Sequence, residues 1–135
     1  MEENNRLIAE FMGWSTHPKH GDKYLINKSK DRVNLPWYSE CNWEASLREF
    51  NYHSDWNILM PVVEKIENIK IKDYSISTDI TDDKTFINVW HYGYGGKWSI
   101  LISNLNEEYK DFNKMQRTYK AVVKFINFYN KQKEE

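Results

Sequence analysis

Disulfide chemistry is closed to this chain. Cys41 is its one cysteine, so neither an intrachain bridge nor a Cys-x-x-Cys metal or redox pair can form, in keeping with a reducing compartment. Long apolar runs are missing too. Ile58-Leu59-Met60-Pro61-Val62-Val63 is among the longest, far short of the ~20 residues that span a bilayer. The first residues, MEENNRLIAEF, are acids and amides where a secretory leader carries a basic and then an apolar segment. Nor is there an excess of one charge: 19 Lys and Arg against 20 Asp and Glu leave a net of -1. No global field therefore draws the chain to DNA, RNA or an anionic membrane. These absences predict a cytoplasmic protein with no membrane partner and no specific DNA or RNA partner.

What is abundant is aromatic surface, 16% of the chain with six Trp and nine Tyr. Such rings bury large rigid areas while keeping a polar handle, which suits a core and a binding face equally. At 135 residues the expectation is a single domain, residues 1-135, burying roughly two thirds of the unfolded surface.

Leu7, Ile8, Phe11 and Met12 recur at helical spacing before Gly13, predicting a short amphipathic helix. Residues 14-52 read as a long irregular segment broken by His17-Pro18, Gly21-Asp22 and Leu35-Pro36, with Lys23-Tyr24-Leu25-Ile26 and Leu47-Arg48-Glu49-Phe50 as short strands or turns. Its Trp37, Tyr38 and Trp43 argue against full disorder. A second helix is expected after Ser54 as N-cap, with Trp56, Leu59, Met60, Val63 and Ile66 on one face and Pro61 kinking it. The period then becomes two through Ile69, Ile71, Tyr74, Ile76, Thr78 and Ile80, shifting phase near Asp73. Strands from Phe86 to Tyr92 and Trp98 to Ser103 follow, and Met115, Tyr119, Val122, Ile126 and Tyr129 mark a last helix. The fold class is α+β: a small antiparallel sheet of three to four strands packed with about three helices.

Three segments carry a family resemblance: LIAEFMGW from Leu7, YHSDW from Tyr52 leading into LMPVVEKI from Leu59, and YKAVVKFI from Tyr119. Together they resemble small uncharacterised proteins of Bacteroidetes phages and mobile elements and, more distantly, the phage ABA-sandwich domain, in which a small sheet lies between helices. The resemblance implies a context, that of phage accessory proteins directed against host defence, which bind a defence protein or sequester its nucleotide signal. It implies no reaction for any residue.

The candidate ligand residues fall in two groups. HYGYGG, from His91 to Gly96, has the glycines a hairpin loop needs, yet Tyr92, Tyr94 and Trp98 could stack on a base and Lys97 could meet a phosphate. Lys28, Lys30 and Arg32 lie close in sequence to Trp37, Tyr38 and Trp43, the mixture of cations and rings that a nucleotide pocket uses. A solvated loop pinned by buried Trp rings explains that second group as well.

His17 and His20 straddle a proline and lack a third ligand. Asp79, Asp82 and Asp83 read as an acidic turn, and Glu40 and Glu44 oppose a thiolate at Cys41. No metal, cofactor or catalysis is expected. The first expectation is a non-catalytic, homo-oligomeric binding protein that sequesters a small cyclic nucleotide signal. The alternative is a module that docks on a protein through exposed aromatics.

Overall fold

The structure is a computed structural model that describes residues 2-17, 21-26, 44-46, 50-71, 73-91 and 97-134. The chain divides into two compact units, Met1–Val62 and Val63–Glu135.

In the first unit, helix α1 covers Glu2–Phe11. Its end is set by Gly13, whose φ of 101° is open to glycine at little cost. There Trp14 N donates to Ala9 O at 3.0 Å and Gly13 N to Glu10 O at 3.1 Å, the paired bonds of a Schellman stop. Trp14 is thereby turned inward, where its ring meets Phe50 edge-on at 4.9 Å and Phe50 stacks on Tyr52 at 6.0 Å. All three are buried with Ile8 and Ala9.

Between Trp14 and Phe50 the backbone forms a second small sheet that the sequence reading did not anticipate. Its strands are β1 (Ser15–His17), β2 (Gly21–Ile26) and β3 (Glu44–Ser46), joined antiparallel in that order, with Thr16 against Leu25 and Leu25 against Ala45. Lys23 to Ile26 lies in a strand, one of the two forms expected of it, and Glu44–Ser46 is a strand that was not expected; Leu47, Arg48 and Glu49, read as a short strand or turn with Phe50, lie outside the described residues.

Helix α2 (Trp56–Asn68) runs unbroken through Pro61. Its N-cap is Asp55, not Ser54: Asp55 Oδ1 accepts from Asn57 N at 2.9 Å, satisfying one of the amides that a helix start leaves open. The buried side chains are Ile58, Leu59, Val62, Val63 and Ile66, while Met60 is exposed and Trp56 only half-buried. The buried stripe is thus rotated by about one residue from the predicted one.

The second unit is the expected meander, β4 (Tyr74–Ile80), β5 (Lys84–His91) and β6 (Lys97–Ser103), covered by α3 (Lys114–Glu134). Asp73 has a φ of 67°, so the phase shift is a break: β4 starts after it, and Ile69 and Ile71 lie outside the sheet. Helix α3 packs on β5 and β6. Thr85, Ile87, Val89, Ile100 and Ile102 are buried, and Thr85 Oγ1 lies 3.3 Å from Thr118 Oγ1 on the helix. A capping box starts α3: Gln116 N donates to Asn113 Oδ1 and Asn113 N to Gln116 Oε1, both at 2.8 Å.

Candidate functional site

Strand alternation divides the side chains of the meander between two faces. Thr85, Ile87 and Val89 point to the α3 side, so Lys84, Phe86, Asn88 and Trp90 take the other. Across the ladder Asn88 pairs with Ser77 and Ser99, Phe86 with Asp79 and Leu101, and Trp90 with Ser75 and Lys97. This outer face combines small polar groups with large apolar ones. Trp90 is 44% exposed and Leu101 46%, while Phe86 is half-buried with Lys84 Nζ 5.3 Å from its ring centroid. At its centre Asn88 Oδ1 is buried and has no hydrogen-bond partner.

Trp98 falls on the opposite face. Its ring lies on Phe128 of α3, centroids 3.8 Å apart and planes 14° from parallel, so one side of the ring is already occupied by the helix. Among the described residues of the meander the exposed aromatic is Trp90, which the sequence reading passed over. The signal for it was present: with Ile87 and Val89 inward, Trp90 has the wrong parity for the core.

HYGYGG begins with His91, the last residue of β5, and leads to β6, whose antiparallel pairing with β5 sets Trp90 opposite Lys97. Tyr92 and Tyr94 themselves lie outside the described residues, as do Lys28, Lys30, Arg32, Trp37, Tyr38 and Trp43, and of Lys97 only the backbone position in β6 is described. His91, at the end of β5, meets Tyr74 edge-on at 4.6 Å, and His53 Nδ1 lies 3.1 Å from Asn5 Nδ2. No group of three His, Cys, Asp or Glu residues converges as a metal site among the described residues, and no helix there is long and apolar enough to cross a membrane.

At the other end of the sheet the turn between β4 and β5 is held by a cation that sequence reasoning missed. Arg117 is 1% exposed. Its Nη1 donates to Phe112 O at 2.7 Å and to Asn104 Oδ1 at 2.9 Å, and Nη2 donates to Thr81 O at 3.3 Å and to Asp82 O. One guanidinium thus ties α3 to the turn and to the segment after β6. In that segment a short 3-10 turn, Glu107–Tyr109, buries Tyr109, whose hydroxyl accepts from Lys124 Nζ at 2.7 Å. Leu105 in the same connection is 96% exposed.

The chain matches no family model, no curated protein and no solved structure.

Proposed function

We propose that this chain is a non-catalytic binding protein that sequesters a small nucleotide signal, in the manner of phage proteins that counter host defence. The observation that carries the reading is the exposed Trp90 ring at the HYGYGG end of the meander, with Lys97 as its register neighbour. A flat ring open to solvent beside a glycine-rich connection offers a stacking platform for a base, worth ~1 to 3 kcal/mol, and a nearby lysine offers a charge for phosphate. The likeness of the three segments to Bacteroidetes phage proteins supports the biological setting. The test is thermal unfolding against a panel of cyclic di- and trinucleotides and ADP-ribose derivatives. A ligand at ~100 times its Kd adds about 2.7 kcal/mol, several degrees in midpoint for a domain of this size. A rise confined to one nucleotide, recovered intact, supports sequestration; a flat panel with folded protein contradicts it.

A second reading, docking on a protein partner, is favoured by Leu101 and Leu105, apolar side chains left exposed along the same sheet and just beyond it. Large apolar anchors of this kind serve a protein interface better than a phosphate-bearing ligand.

A further inference from the structure

Both outer strands of the meander are edges, since β4 and β6 each pair only with β5 in the described sheet. Edges invite pairing with another chain unless charges, prolines or bulges block them. Strand β4 carries its charge inside the strand, at the exposed Asp79, and is engaged by α2, where Glu67 accepts a hydrogen bond from the Thr78 hydroxyl. Strand β6, KWSILIS, has its one charge at Lys97 and neither proline nor an irregular pair along its seven residues.

We propose that β6 is the docking edge for a second copy of this chain, the two strands running antiparallel about a two-fold axis through Ile100. A two-fold contact must complement itself, and this sequence does. In that register Lys97 stands opposite Ser103 of the second copy, well away from the other Lys97, so no like charges meet. On the helix side Trp98 pairs with Ile102 and Ile100 with Ile100. On the outer side Ser99 pairs with Leu101, which covers part of the exposed Leu101. The meander then continues into a six-stranded sheet. Helix α3 rests on β5 and β6, so its two copies would lie about one strand spacing on either side of the two-fold axis, roughly 10 Å from one another. That equals the usual distance between packed helices. The proposal does not rest on nucleotide binding and can fail or hold independently of it.

The experiment is sedimentation equilibrium of the full-length chain and of two paired variants. One carries Ser99→Lys with Leu101→Lys; the other carries Ser99→Glu with Leu101→Glu. The proposed register sets residues 99 and 101 of the two copies directly opposite, where like charges destabilise and opposite charges attract. The unmodified chain is expected at twice its 16.4 kDa mass, each variant alone as a monomer, and a mixture of the two as a heterodimer. Should the variants fail to fold, amide exchange in the unmodified chain decides: protection of β6 rises with protein concentration under the proposal. A monomer at the highest soluble concentration, variants that stay dimeric alone, or β6 exchange independent of concentration would each overturn it.

Discussion

Arg117 shows how much one residue can organise. A buried guanidinium is costly unless its donors are satisfied, and here four are used while Nε has no partner. Its acceptors are three backbone carbonyls and one side-chain amide rather than a carboxylate, so the charge joins three segments of backbone. Lysine cannot reproduce that fork. Arg117→Lys and Arg117→Ala are both expected to cost about 3 kcal/mol or more in urea unfolding; a loss under 1 kcal/mol for alanine would show the clamp to be dispensable. Two tyrosines set the alkaline limit. Burial raises the Tyr52 hydroxyl far above its ordinary value and pushes that of Tyr119 up to about 12. The folded chain therefore keeps protons that the unfolded chain releases near pH 10, so this contribution is complete below pH ~10 and is lost as pH rises through the folded values. The unfolding midpoint should fall steadily above pH 10, and Tyr52→Phe with Tyr119→Phe should flatten that fall.

At the scale of the element, the parts that local sequence determines were legible. Helix α3 has an amphipathic stripe, and its start is written in Asn113-x-x-Gln116, although the apolar repeat alone drew the reading there. Asn113→Ala should cost about 1 kcal/mol by removing the cap, measured by thermal unfolding. The meander was legible from its two-residue period. The sheet of β1, β2 and β3 was not, because the three-residue strands β1 and β3 are too short to show alternation, and β2 finds β3 across seventeen intervening residues whose sequence carries no periodic signal. The reading of Ser54 as N-cap failed for a related reason: Asp55 is an equally good cap, and only the turn that bonds Ser54 N and Asp55 N to Asn51 O, each at 3.0 Å, places Asp55 at the helix boundary. Parity separates the two tryptophans of the meander. Trp98→Ala removes a stacked ring and should cost about 2 to 4 kcal/mol of stability, whereas Trp90→Ala, on the open face, should change the midpoint little.

For the whole molecule, aromatic content reads differently once the rings are placed. Trp14, Phe50, Tyr52, Tyr109 and Phe125 are buried, and Trp98 is stacked against α3. Those rings serve packing, and the binding proposal rests, among the described residues, on a smaller set of groups: Trp90 and its register neighbour Lys97, beside the connection between β5 and β6. The basic and aromatic segment from Lys28 to Trp43 lies outside the described residues, so its part in the proposal rests on sequence. The most direct measurement is calorimetric titration of the stabilising nucleotide from the unfolding panel into the unmodified chain and into Trp90→Ala. The account predicts that Trp90→Ala stays folded and loses binding by about 10- to 100-fold, the equivalent of one stacked base. Equal affinity in both proteins would contradict it and remove Trp90 from the site.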